Sequence, residues 1–257
     1  MTPPFLRSPL LENARAPHGF FGRAGGVSSG LFATLNTGLG TRDDIEAVRE
    51  NRARCAGALG VARLVTLHQI HSSDVVTVRA PWPDEARPRG DGMVADRPGV
   101  ALGVLAADCM PVLFCDPAAG VIGAAHAGWR GALAGVIEAT LAAMTRIGAQ
   151  PARVVAAIGP CLRQPNFEVG LEVVDAFKRK HPLSERFFGP GVSPEKRQLD
   201  LASFGAWRLR ESGVAGIDDV EVCTLAAPLD YFSYRASRRA GEPDYGRNLS
   251  AIACPAP

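Results

Sequence analysis

The chain has 257 residues, a formal net charge of +2, 47% hydrophobic and 21% charged residues, a composition that excludes disorder and offers no strongly basic domain or stripe for nucleic acid. At that length, folding buries roughly 70–75% of the unfolded surface, so no staple is required. No run approaches the ~18 apolar residues of a membrane helix, and prolines interrupt the amino terminus where a secretory signal needs a continuous apolar stretch.

In chain order, residues 1–17 read as a loosely ordered amino-terminal segment. The glycine-rich stretch 22–30 reads as a turn, because it lacks both G-x-G-x-x-G and the Lys-Ser/Thr ending of a P-loop. A helix is expected over 43–59, then strands over 64–70, 75–79 and 92–95, with a proline-rich interruption at 80–90. Strands follow over 101–105, 112–115 and 121–125, a helix over 132–147, and a strand over 154–158. Helices over 170–180 and 199–212 flank a loop in which Phe187 and Phe188 tuck inward, and a strand is expected over 220–223. Each helix carries apolar residues at helical spacing and a glycine or proline near its end, and each strand is a short apolar run bounded by turn residues. Many strand pairs lie too close for a crossover helix, which excludes a purely parallel sheet. The expected fold is an α/β (α+β) mixed-sheet layered sandwich, a single domain over 1–257.

Three of these strands deliver a polar residue where they stop. His71 follows the run 64–70, Cys109 sits between Asp108 and Met110-Pro111, and His126 closes the run 121–125 among Ala124, Ala125, Ala127 and Gly128. Two imidazoles and a thiolate suit a borderline-soft divalent metal, and three protein ligands leave a fourth tetrahedral position open, as catalytic zinc requires. His68 lies three residues before His71, so on a strand the two point to opposite faces and cannot share an ion. The ordinary alternatives are a small core cysteine and a satisfied core histidine. No H-E-x-x-H or paired C-x-x-C decides between them. The six cysteines show no framework spacing and read as reduced thiols, which makes the cytoplasm the expected location.

The runs Gln69-Ile70-His71, Ala107-Asp108-Cys109-Met110-Pro111-Val112 and His126-Ala127-Gly128-Trp129-Arg130-Gly131 resemble the YfiH family, also called the multicopper polyphenol oxidoreductase or laccase-like family. Phe21-Gly22-Arg23-Ala24-Gly25-Gly26-Val27-Ser28, Leu35-Asn36-Thr37-Gly38, Asn51-Arg52, Gly159-Pro160-Cys161, Glu168-Val169-Gly170, Phe232-Ser233-Tyr234-Arg235 and Gly246-Arg247 extend the resemblance over most of the chain. Departures are Ser72 where the family has Gly, Phe167 where it has Tyr, and Ala236 in place of a second Arg after Arg235.

The resemblance implies a zinc site at His71, Cys109 and His126, with copper as the other metal to consider. It implies phosphorolysis of adenosine, inosine or 5′-methylthioadenosine to base and ribose 1-phosphate, hydrolytic deamination of adenosine, and in bacteria a link to peptidoglycan editing. Arg23, Ser28, Asn36 and Arg52 fall on matching positions and are expected to line a phosphate and ribose pocket, where an arginine fork suits phosphate oxygens. Asp108 is the candidate for proton transfer, against its ordinary role as a turn residue capping local N–H groups. The expected partners are purine nucleosides and phosphate, with no nucleic acid and no membrane, and no coiled-coil repeat sets an oligomeric state. Two other enzyme readings stay open: a copper-dependent polyphenol oxidase, which five histidines supply poorly, and a metal-free cysteine hydrolase using Cys109 and His126 in peptidoglycan precursor editing. A structural metal in a binding protein is a third reading, though structural zinc normally takes four protein ligands.

Overall fold

The computed structural model describes residues 2–255. Its strands, in chain order, are β1 (Phe5–Leu6), β2 (His18–Phe21), β3 (Arg63–Val65), β4 (Val75–Thr77), β5 (Gly92–Ala95), β6 (Val100–Ala106), β7 (Met110–Asp116), β8 (Val121–Ala127), β9 (Val155–Ile158), β10 (Glu168–Gly170), β11 (Phe188–Pro190), β12 (Lys196–Leu199), β13 (Gly216–Asp219) and β14 (Asn248–Ala253). The helices are α1 (Pro9–Asn13), α2 (Ile45–Ala58), α3 (Trp129–Ala134), α4 (Val136–Arg146), α5 (Leu171–Lys180), α6 (Leu201–Glu211) and α7 (Tyr234–Arg239).

Two mixed sheets, ordered β1-β2-β14-β6-β3 and β13-β9-β7-β8-β5-β4, make the body of the molecule, and β10-β12-β11 form a small antiparallel sheet beside it. The expected mixed-sheet sandwich is therefore present. Its layering follows from strand alternation. Leu113 of β7 and Ile122 and Ala124 of β8 meet Leu102 and Val104 of β6 and Ile252 of β14 in one buried cluster between the sheets. The alternate residues, Val112, Phe114, Val121 and Ala125, pack against Ile137, Leu141 and Met144 of α4 and Phe204 of α6. Helix α2 covers the other face of the first sheet through Cys55, against Phe21, Leu249 and Ala251. Each fully buried Leu, Ile, Val or Phe contributes about 1.5–3 kcal/mol. A one-residue slip of β8 would reverse its two faces at that cost and turn His126 out of the inter-sheet space.

Several boundaries differ from the sequence reading, each for a local reason. In residues 2–17, Phe5 and Leu6 pair with β2, and the buried His18 ring accepts the Ser8 N–H at 2.8 Å. The strand expected over 64–70 stops at Val65 because the Gln69 side chain takes over as partner of β6, donating to the Leu105 carbonyl at 2.7 Å and accepting its N–H at 2.8 Å. The helix expected over 132–147 breaks at Gly135, which has a left-handed φ of 103°, a conformation glycine adopts without steric cost. The strand expected over 220–223 is instead β13, an edge strand parallel to β9. Its Asp218 and Asp219 are hydrogen-bonded by Ser8 and Arg163. Strands β11 and β12 occupy much of the region read as a loop between α5 and α6, with Phe187 packed on Phe204 and Trp207. No helix among the described residues is long and apolar enough to cross a membrane.

Candidate metal centre and ligand cleft

At one end of the sandwich the inter-sheet space opens. The β7/β8 register pairs Met110 with Ala127 and Pro111 with His126, so Cys109, just before β7, arrives beside His126 on the same face. His71 comes from the loop after β3. The donor atoms of His71, Cys109 and His126 all lie within 4.8 Å of one another, and Cys109 Sγ is 3.8 Å from His71 Nε2. A tetrahedral ion with a thiolate at about 2.3 Å and an imidazole nitrogen at about 2.0–2.1 Å separates those donors by about 3.6 Å, so the set fits a zinc-like ion.

One buried carboxylate organises both imidazoles. Asp91, immediately before β5, accepts from His126 Nδ1 at 2.8 Å through Oδ1, leaving Nε2 for a ligand. Its Oδ2 accepts the N–H groups of Ile70 at 3.1 Å and Ser72 at 2.7 Å, clamping the backbone on either side of His71. That clamp holds His71 at a φ of 60°, a region non-glycine residues occupy only when their surroundings fix them. Burial raises the Asp91 pKa, yet hydrogen bonds from His126, Ser72 and Ile70 outweigh it and bring it to about 2. Burial likewise opposes ionisation of Cys109, but the neighbouring His126 and His71 hold its thiol at about 6. Burial lowers the pKa of His126, and the Cys109 thiolate and Asp91 carboxylate more than reverse it, to about 9. Gly128 makes the approach possible: a Cβ there would stand 2.9 Å from both Cys109 Sγ and His71 Cδ2.

The three donors line a cleft of about 280 Å³ together with Gly38, Gly40, Thr41, His68, Gln69, Arg87, Tyr245 and Arg247. Arg23, Ser28, Asn36 and Arg52 are not among the residues that line this cleft. Arg23 donates to the carbonyls of Ala33 and Pro228 and stacks on Phe232. Ser28 donates to Asp43, and the buried Arg52 binds Thr66 and Asp84. Asn36 bonds Thr41 and Asp43 and accepts the backbone N–H groups of Gly38 and Arg247, so it shapes the cleft wall from behind. Asp108 is also off the cleft. Its carboxylate accepts from Thr224 Oγ1 at 2.6 Å, Ser233 Oγ at 3.0 Å and Arg235 N at 2.6 Å, the work of a positioning residue that anchors the chain before Cys109. His68 borders the cleft outside the ligand set; its exclusion by strand alternation fails as an argument, since no strand continues past Val65. Sequence reading missed Asp91, although a polar residue opening the apolar β5 repeats the strand-end pattern of Cys109 and His126.

A sandwich of two mixed sheets between helices, with a three-donor centre at its open end, defines an α/β protein with a candidate metal site and an adjoining cleft. Residues 17–255 match the family described as multi-copper polyphenol oxidoreductase laccase, and the chain belongs to that family, the YfiH group its motifs resemble. It is 41% identical over 228 residues to a purine nucleoside phosphorylase of Streptomyces coelicolor, covering 88% of this chain and 92% of that one. A purine nucleoside phosphorylase of Deinococcus radiodurans is 41% identical over 260 residues, 98% of this chain and 93% of that one. The crystal structure of YlmD from Geobacillus stearothermophilus superposes with a TM-score of 0.88 at 31% identity, over 98% of this chain and 99% of that one.

Proposed function

We propose that this protein is a zinc-dependent purine nucleoside phosphorylase acting on adenosine, inosine or 5′-methylthioadenosine, with adenosine deaminase activity at the same centre. The observation that carries the reading is the convergence of His71, Cys109 and His126 at a cleft near the small end of the ligand-pocket range, about 300–1,000 Å³, in a chain with two relatives of that name at 41% identity. In phosphorolysis a phosphate oxygen bonds to C1′ as the C1′–N9 bond breaks, the purine leaves with the electron pair, and the proton of hydrogen phosphate ends on the base. In deamination water replaces the C6 amino group, giving inosine and ammonia.

The donor set supports zinc, which when bound supplies Lewis acidity at its open position. Asp91 fixes the tautomer and direction of His126, and Gly128 keeps the space beside Cys109 clear. A multicopper oxidase needs further histidine ligands, whereas His18 is committed to Ser8 and Ala16 and His181 packs on Phe204 and Trp207. The six unpaired thiols agree with a reducing, cytoplasmic setting. We read the chain as one domain, and the peptidoglycan-editing role implied by the resemblance would draw on the same centre.

The test is metal content of the purified protein together with product analysis after incubation with adenosine, with and without phosphate. The reading expects about one zinc per chain, adenine and ribose 1-phosphate in phosphate, and inosine in its absence. Full phosphorolysis by a zinc-free Cys109→Ala variant would sink the shared centre. The second reading is a cysteine hydrolase using Cys109 and His126; metal-free protein with an amidase or esterase activity lost on alkylation would select it.

A further inference from the structure

Two arginines bring positive charge to the cleft. Arg87 and Arg247 line it with the three metal donors. Arg87 uses Nε on the Asp84 carbonyl at 2.8 Å, while the two carboxylates nearest in sequence are engaged elsewhere, Asp84 by Arg52 at 3.3 Å and Glu85 by Arg49 at 3.0 Å. Arg247 has a loose pairing with Asp244 at 3.9 Å, whose oxygens already accept the N–H groups of Arg42 at 2.7 Å and Tyr245 at 2.8 Å.

The position of Arg247 is built rather than incidental. Its guanidinium lies 3.3 Å from the centroid of the Tyr245 ring, its N–H is held by Asn36 Oδ1 at 2.9 Å, and its carbonyl accepts from Thr37 Oγ1 at 2.9 Å. A Cβ on Gly38 would stand 2.6 Å from Arg247 Cγ, so the side chain reaches the cleft through a gap that only glycine leaves. An arginine fixed by stacking loses little freedom when it binds, and its fork matches two oxygens of a tetrahedral oxyanion.

We infer that Arg247, together with Arg87, forms the subsite for the inorganic phosphate consumed in the reaction, an inference that rests on the phosphorylase reading. These two residues differ from Arg23 and Arg52, the arginines expected from motif position, in lining the cleft beside the three donors.

The experiment compares the zinc-loaded wild type with Arg247→Gln, Arg247→Lys and Arg87→Gln, measuring initial rates against phosphate and against nucleoside, and phosphate binding alone by calorimetry. Loss of a charge-assisted contact should raise the KM and Kd for phosphate about ten- to a hundredfold in the glutamine variants, less in Arg247→Lys, with the nucleoside KM within about twofold of wild type. Unchanged phosphate KM and Kd in folded, zinc-replete Arg247→Gln and Arg87→Gln would overturn the subsite. So would a loss confined to nucleoside affinity, which would make these residues nucleoside contacts. If the wild type releases no base in phosphate, the phosphorylase reading fails separately, and calorimetry still decides the subsite: weaker phosphate binding in the variants upholds it, and equal binding removes it.

Discussion

Asp91 and His126 form the central pair of the site: Asp91 Oδ1 lies 2.8 Å from His126 Nδ1, and the His126 N–H donates to the Asp91 carbonyl at 2.7 Å. Because the second carboxylate oxygen holds the backbone around His71, one side chain orients two of three metal donors. Asp91→Asn cannot satisfy both demands, since one oxygen becomes an N–H donor. Zinc affinity should fall about ten- to a hundredfold, read by competition with a chromophoric chelator; a folded variant with wild-type affinity would remove Asp91 from this role.

The same pair sets an acid limit on the metal-free fold. The Asp91 pKa drops from 3.8 to about 2 on folding, so its ionised form stabilises the protein fully above about pH 4 by about 2–3 kcal/mol, and that contribution disappears as pH falls through 2. Denaturant titrations of the metal-free protein at pH 6 and at pH 2 should therefore show a larger stability loss in the wild type than in Asp91→Asn. Equal losses would show that Asp91 is not the linked group.

Gly128→Ala should damage the centre more than the fold. The new methyl would press on Cys109 Sγ and His71 Cδ2, an overpacking that costs about 1–3 kcal/mol when the surroundings must shift. The expected result is a folded protein with substoichiometric zinc by elemental analysis. Full occupancy at unchanged affinity would mean that the donors tolerate the added methyl.

Cys109 should titrate as an acidic thiol. With its pKa near 6, the thiolate accumulates above pH 6, so alkylation of the metal-free protein by iodoacetamide should rise with a midpoint there rather than near the ~8.5 of a free thiol. His126→Gln should move the midpoint upward, because the cation that favours the thiolate is gone, and zinc should protect the residue in the wild type. A midpoint unmoved by His126→Gln would contradict the ion pair.

Asp108→Asn separates positioning from proton transfer. Three donors converge on this carboxylate, and hydrogen bonds to charged groups contribute about 1.5–3 kcal/mol each. The variant should lose about 2–3 kcal/mol of stability while kcat of the folded, zinc-replete protein falls by less than about tenfold. A loss of about 10²–10⁴ in kcat without a change in melting temperature would instead make Asp108 a general acid or base.

The legible part of the site was the part written in strand periodicity. The runs ending at Cys109 and His126 announced two donors and the strands that carry them, and β5 through β9 appeared near their observed limits. Strands β2 and β14, HGFF and NLSAIA, went unread; they pair with each other and with β1 and β6. The polar edge strand β13 was misplaced. Arg23, Ser28, Asn36 and Arg52 sit in characteristic runs, and in the folded chain their side chains bond carbonyls, hydroxyls and carboxylates of neighbouring segments.

The sequence by itself determined the layered α/β class, the strand-end donors and the family, because alternation of apolar residues, turn chemistry and motif order are local properties of the chain. Tertiary structure decided that Asp91 joins His71 to His126, that Gly128 opens room beside Cys109, and that Arg87 and Arg247 share the cleft with the metal donors. Those relations depend on which strands pair and in what register, and a side chain's direction is fixed only once long-range partners have claimed its hydrogen-bonding groups.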